Sequence, residues 1–295
     1  MSSYCHCDFS VNHDIPPVYV GPSDISPPKP DHPGCQVIMY SGYTEFKKPL
    51  PLKVRKCEGQ GIRNAITKFS SRSRNNLLKK LFSLPKPPTL FITLTYQYYP
   101  ADSKEWKRHL DNFRRRFFEK FPKAWFYWKL EPQKKGAPHY HLIGDLNADV
   151  NIHALRWYVS RLWYEVCGTG SLKHFKYGTQ VKIIKDSKNA MQGYVCKYVG
   201  KTDTTEYAHW AHPGRFWGIF GRENLPEGTL IAITMAKQEY YIVRRLVRRW
   251  LRHKSYKCHA YARRLARISS FFVLISREVV DRFLDLVLGP VPFVV

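Results

Sequence analysis

No uninterrupted run in this chain approaches the roughly 20 apolar residues that a membrane-spanning helix needs. The nearest candidates, FFVLIS and FLDLVLGPVPFVV, are interrupted by Arg277, Asp281, Arg282 and Asp285, so a packing or oligomer surface is expected there and no membrane contact. Acidic residues are scarce: 23 Asp and Glu stand against 48 Lys and Arg, giving a formal charge of +25 and an isoelectric point near 9.8. That imbalance argues for a polyanionic partner, although charge alone fits any nucleic-acid protein. No secretory signal and no internal repeat is evident, and the seven cysteines are scattered and odd in number. A disulfide framework is therefore not expected, and a reducing compartment is. The phosphate loop of a helicase is also missing.

Aromatic side chains, by contrast, make up 15% of the 295 residues and supply rings for stacking on unpaired bases. The length allows one sizeable core with appendages. Composition suggests residues 1–85 as a Pro-rich arm and basic segment, 86–225 as the main domain, and 226–295 as a basic helical region. Within the first, residues 14–52 read as an extended or loosely docked arm, and Arg63 to Lys80 as a basic, helix-compatible stretch. Cys5, His6, Cys7, His13 and Cys35 invite a zinc reading, but their spacing fits no closed site.

The segment GAPHYHLIGD, Gly136 to Asp145, places two histidines one residue apart in an apolar run. In a strand, residues i and i+2 share a face, so His139 and His141 project side by side. Glu131 ends the preceding run AWFYWKL, and the intervening PQKKGAP carries hairpin residues that would fold its carboxylate toward the imidazoles. Two imidazoles and one carboxylate suit a catalytic divalent ion with open positions. The alternative is a pair of surface histidines on an edge strand.

Downstream, QGYVCKYVGK places Tyr194, Lys197, Tyr198 and Lys201 within about 100° of one another on a helix, with Val195, Cys196 and Val199 opposite. Phenols among lysines can meet phosphate. A neighbouring ammonium eases formation of phenolate and neutralises charge on pentavalent phosphorus, so either tyrosine qualifies as a nucleophile for phosphoryl transfer. A basic helix whose tyrosines only cover its flank is the competing reading.

FITLTY is a β-branched run that predicts a strand, and Asp102 with Glu105 a capping box before a helix whose Trp106, Leu110, Phe113 and Phe117 form an apolar stripe. AWFYWKLE and HYHLIGDL follow as paired strands, then a helix from Ile152 to Val166, a strand in TQVKIIK, and Ser187 as cap of the tyrosine helix. This order is that of a split βαβ layer.

FITLTY (Phe91–Tyr96), PHYHL (Pro138–Leu142) and YVCKYVGK (Tyr194–Lys201) resemble, in order and spacing, the three motifs of HUH endonucleases that initiate rolling-circle DNA replication. The paired tyrosines with a lysine between them resemble the two-tyrosine branch, found in small single-stranded DNA phages and related plasmids. RFWGIFGR, Arg215 to Arg222, resembles a further segment of such initiators. The resemblance spans roughly Thr89 to Arg222 and implies an α+β fold: a central antiparallel sheet, ferredoxin- or RRM-like, with helices on one face, here followed by a helical basic extension.

It implies Mg²⁺ or Mn²⁺ held by His139, His141 and Glu131, with His153 and His174 as further ligand candidates because the third ligand varies in the family. Tyr194 and Tyr198 become the alternating nucleophiles and Lys197, with Lys201, the phosphate-orienting cations. Thr93 and Thr95 are expected to shape the site floor. The implied partners are single-stranded origin DNA and a host polymerase and helicase, in the cytoplasm of a bacterial host. An HUH transposase or relaxase would share the chemistry, and a non-catalytic single-stranded nucleic-acid-binding module would need the rings alone. Finally, Tyr241 to Arg252 reads as an amphipathic helix. Ile242, Val243, Leu246, Val247, Trp250 and Leu251 oppose Arg244, Arg245, Arg248, Arg249 and Arg252, for docking or DNA contact.

Overall fold

The computed structural model describes residues 34–48, 66–98, 102–133, 136–184, 210, 213–228, 230–254, 262, 265, 271–273 and 275–289. Its elements in chain order are β1 (Cys35–Met39), β2 (Thr44–Lys47), α1 (Ser71–Phe82), β3 (Leu90–Thr95), α2 (Ser103–Lys120), β4 (Trp125–Pro132), β5 (Pro138–Asp145), α3 (Ile152–Cys167), α4 (Leu172–Tyr177) and β6 (Thr179–Ile183). There follow β7 (Trp217–Phe220), β8 (Ile231–Met235), α5 (Lys237–Lys254), β9 (Phe271–Val273) and α6 (Arg277–Leu288). The fold is mixed α+β and divides into two units, one formed by residues 60–81 and 86–226, the other by 1–59, 82–85 and 227–295.

The unit carrying the histidines is a five-stranded antiparallel sheet in the order β6-β3-β5-β4-β7. The strand-helix-strand-strand-helix-strand order expected from the sequence is present. Asp102 caps α2 by accepting from the Lys104 amide at 3.0 Å, and Asn151 caps α3 by accepting from His153 and Ala154. The short helix α4 and the edge strand β7, within RFWGIFGR, are elements that the sequence did not announce.

Alternation divides the sheet into two faces. One bears Leu94, Phe126, Leu130, Tyr140 and Leu142, all buried. The stripe of α2 lies here: the Tyr140 hydroxyl donates to the Trp106 carbonyl at 3.3 Å, and the Phe117 and Phe126 rings meet edge-on at 5.7 Å. Phe113 of the same stripe meets Trp163 of α3 edge-on at 6.0 Å. The other face bears Thr93, Thr95, Lys129, Glu131, His139 and His141 in register. Helices were expected on one face only. Segment 66–81 departs from that, because Trp217, which pairs with Lys129, donates its indole N–H to Ser73 of α1 at 2.8 Å, and Lys129 lies 5.1 Å from the Phe69 ring. The cover gives the indole N–H a protein acceptor and lays a ring against the ammonium, so both polar groups keep a partner away from water.

Gly144 sits where β4 and β5 approach most closely: a Cβ there would lie 1.9 Å from the Trp125 carbonyl oxygen and 2.8 Å from the Phe126 Cα. Both obstacles are backbone, so the ladder that holds the histidines must open to admit a methyl. Gly144→Ala is expected to cost about 3 kcal/mol and to lower Tm by roughly 10 °C. Differential scanning calorimetry checks this, with Ala137→Gly as a nearby control.

The second unit is a four-stranded antiparallel sheet in the order β8-β1-β2-β9. Its strands β1 and β2 lie within the stretch expected as an extended arm. The Pro-rich composition of 14–52 hides two strands whose alternation is short, five and four residues, and whose partners β8 and β9 lie far along the sequence. Cys35 is a buried strand residue there, and burial raises its thiol pKa. The remaining residues of the supposed zinc cluster lie outside the described residues.

Helix α5 contributes Tyr240, Val243, Leu246, Val247 and Leu251 to the same core as Val37, Met39 and Phe46, joined by Val280, Phe283 and Leu284 of α6. The amphipathic docking expected for 241–252 is present with one correction. Arg244 does not face water: it is 5% exposed, donates to the Leu265 carbonyl at 2.8 Å and stacks 4.8 Å from the Phe271 ring. A planar, weakly hydrated guanidinium tolerates such a site when rings and a carbonyl replace water. Arg245, Arg249 and Arg252 are exposed. No described helix is long and apolar enough to cross a membrane.

Candidate metal centre

Strand register builds the site. On β5, His139 stands opposite Thr95 of β3 and Glu131 of β4, while His141 stands opposite Thr93 and Lys129. The two imidazoles meet edge-on with centroids 4.4 Å apart, and His141 Nε2 lies 2.6 Å from Glu131 Oε1. Ligand atoms of Glu131, His139 and His141 all fall within 4.8 Å of one another, the one such grouping among the described residues. The three form a group able to hold a metal ion, and the hairpin does what the sequence suggested, bringing the carboxylate to the histidines.

The donor chemistry fits a divalent cation on two further counts. Each imidazole has a hydroxyl at its Nδ1: Thr95 Oγ1 at 3.0 Å for His139 and Thr93 Oγ1 at 3.3 Å for His141. A hydroxyl can donate or accept, so each threonine can take the Nδ1 proton and leave the Nε2 lone pair for a cation. Such outer partners fix tautomer and ring orientation in metal sites. Second, Glu131 is held ionised. Burial would raise its pKa, but the His141 hydrogen bond and the Lys129 ammonium, 3.1 Å from Oε2, outweigh that and bring it down to about 2.

Lys129 was not anticipated. It is 3% exposed, and its readable signal was the strand period: two residues before Glu131, it shares the carboxylate's face. The threonines were expected only as floor; their hydroxyls instead touch both histidines. Replacing Thr95 by Val keeps the shape and deletes the hydroxyl. Thr95→Val is expected to weaken Mn²⁺ binding about 10- to 100-fold, with Thr95→Ser close to wild type, as read by calorimetric titration.

His153 and His174, the other ligand candidates, are elsewhere. His153 is exposed in the first turn of α3. His174 is buried with both ring nitrogens engaged, Nε2 at 2.9 Å from the Thr95 carbonyl and Nδ1 at 2.9 Å from the Thr169 hydroxyl. The Trp163 indole donates to the same Thr95 carbonyl at 3.0 Å, and the Thr95 amide donates to the Gly178 carbonyl at 2.8 Å. Thr95 is thereby clamped by α3 and the α4–β6 corner, so His174 braces the strand residue that orients His139.

These buried histidines set an acid limit. Burial, and then the charge of His141, lower the His139 pKa to about 4 against the pull of Glu131; burial likewise lowers His109, against Glu105, and His174, against its bond to the Thr95 carbonyl. A histidine with a depressed folded pKa takes up its proton in the unfolded chain first, so stability is lost as pH falls below the ordinary value near 6.5. Glu131, depressed from about 4.5 to about 2, adds a loss of the same sign in that lower window. In EDTA, the urea midpoint is expected to fall steadily from pH 7 to pH 4. A midpoint that is flat or rises over that range contradicts the assignment.

Tyr194, Lys197, Tyr198 and Lys201, together with Ser187, lie outside the described residues.

Residues 89–203, less than half of the chain, match the family model of the replication-associated protein ORF2. All three motifs quoted above fall inside that span. No curated protein and no solved structure matches the chain. The match supports a replication-associated role for this segment; the two-tyrosine branch rests on the motif with Tyr194 and Tyr198 alone.

Proposed function

We propose that the chain initiates rolling-circle DNA replication by nicking and rejoining single-stranded origin DNA. The observation that carries this reading is the convergence of Glu131, His139 and His141 on one face of the central sheet, within a segment that matches a replication-associated family.

A divalent cation bound by these three residues would supply Lewis-acid polarisation of a phosphate oxygen and a template for in-line attack. Glu131 contributes the negative charge that retains such a cation, Thr93 and Thr95 fix the imidazoles, and Lys129 holds the carboxylate in place. The phenol oxygen of Tyr194 or Tyr198 attacks phosphorus. A bond forms between that oxygen and phosphorus, the 3′-oxygen leaves with a proton, and the products are a 5′-phosphotyrosine and a free 3′-hydroxyl for a host polymerase to extend. In the reverse step a 3′-hydroxyl displaces the phenol and closes the strand. Lys197 and Lys201 orient phosphate and stabilise phenolate. Two nucleophiles allow one to hold the first end while the other cuts the regenerated junction.

The test is incubation of the purified chain with labelled single-stranded circular DNA and Mn²⁺ or Mg²⁺, followed by a denaturing gel. A covalent protein–DNA species that needs the ion is expected. Binding without any covalent species, across varied sequences and both ions, favours the non-catalytic binding module.

A further inference from the structure

Beyond the metal centre, the described residues enclose a basic cleft at the free edge of the sheet. Its volume is about 310 Å³, and it is lined by Arg156 and Ser160 of α3, Lys176 of α4, and Thr179, Gln180 and Lys182 of β6. No carboxylate lines it, and among the described residues neither Arg156, Lys176 nor Lys182 is paired with one. Two features give it fixed form. The Arg156 guanidinium donates to the Val181 carbonyl at 3.2 Å, which pins it to the edge strand, and Ser160 and Thr179 share a hydroxyl hydrogen bond of 2.7 Å. Three cations with two hydroxyls and a side-chain amide are donors suited to phosphate oxygens.

Rings flank the cleft. Trp157, one turn before Ser160, is 55% exposed, and Tyr177, next to Lys176, is 75% exposed. Arg161 stands 5.3 Å from the Trp157 ring. Large aromatics beside unpaired cations are the combination by which proteins hold single strands, cations on the backbone and rings on the bases. Duplex bases would be unavailable to those rings.

Register ties the cleft to the metal centre. Gln180 stands opposite Thr93, which stands opposite His141, and all three share one face. Lys182, two residues on, faces the same way. The separation is two strand spacings, about 10 Å.

We propose that this cleft is a phosphate-binding subsite for single-stranded DNA, gripping the backbone to one side of the metal centre while Trp157 and Tyr177 stack on neighbouring bases. The proposal takes its choice of polyanion from the replication reading above, but its test does not depend on cleavage.

The test is fluorescence anisotropy of a labelled mixed-sequence single strand with the full chain in EDTA, over a range of salt. Lys176→Gln with Lys182→Gln removes two phosphate contacts, so log K against log salt is expected to flatten by roughly 1.4, with weaker binding throughout. Trp157→Ala with Tyr177→Ala is expected to weaken binding at least about fivefold. Arg115→Gln, an exposed site on α2, is the control for general charge. Circular dichroism verifies folding, and Lys176→Arg with Lys182→Arg is expected to restore affinity. Two results overturn the proposal: affinity and salt slope unchanged in the cleft variants, or an equal loss in the Arg115 control or on duplex of the same sequence. If the cleft variants lose binding while no covalent species forms with any ion, the subsite stands and the nuclease reading falls. Metal-dependent covalent species with unaltered cleft-variant binding gives the reverse.

Discussion

His141→Ala is expected to reduce Mn²⁺ affinity on the order of a hundredfold or more, and the covalent protein–DNA species with it. The reasoning starts from the strand. His141 is 4% exposed and lies between Glu131 and Thr93, so truncation removes a ligand and leaves a void that alanine cannot fill. Loss of an outer partner costs 10- to 100-fold in metal sites, and a direct ligand costs more. His139→Ala is expected to act alike, and it is the cleaner probe because His139 is only partly buried. Glu131→Ala mixes two effects. It deletes a ligand and strips the Lys129 ammonium of its carboxylate inside the sheet, a change that by itself destabilises a fold by several kcal/mol. Calorimetric titration with Mn²⁺ beside a urea midpoint separates the two: the histidine variants move the first far more than the second, and Glu131→Ala moves both. Unchanged affinity in both histidine variants would place any bound ion elsewhere.

The second large effect concerns the tyrosine motif that follows the last strand of this sheet in sequence. Tyr194→Phe combined with Tyr198→Phe is expected to lower the covalent species at least about a thousandfold, because each change deletes the attacking oxygen and nothing else. Binding of single-stranded DNA is expected to stay within about twofold, since the rings remain. Either single variant is expected to retain part of the signal, in proportion to the share of first cuts that its surviving tyrosine makes. A double variant that still forms the covalent species would assign the nucleophile to another residue. A double variant that loses binding equally would make the tyrosines contact residues.

Much of this unit could be read before the structure, because its signals are local. Trp106, Leu110, Phe113 and Phe117 announce α2 by period, and all four are buried. His139 and His141 announce a shared face by alternation, and one hairpin brings Glu131 to them. What could not be read depends on pairing across distance. Whether Thr93 or Leu94 faces the histidines is set by the β3–β5 register, which no local pattern fixes. Lys129 looked like an interruption in an apolar strand until its partner was in place. His174 looked like a ligand candidate by type, yet its role as a brace for Thr95 spans 79 residues of sequence. The second unit was least legible, since β1 and β2 find their sheet partners in β8 and β9, about 200 residues later. Arg244 was assigned to solvent by its charge, and only the cage of Tyr240, Phe271 and the Leu265 carbonyl explains why it can be inside.

The measurement that bears most directly on the account is mass spectrometry of the protease-digested protein after reaction with single-stranded DNA, run in parallel with Mn²⁺ and with EDTA. The account predicts one peptide, spanning Tyr194 and Tyr198, that carries a 5′-linked nucleotide with Mn²⁺ and none with EDTA. DNA cut to free 5′-phosphate ends with no modified peptide, or a nucleotide attached outside residues 194–198, would contradict it.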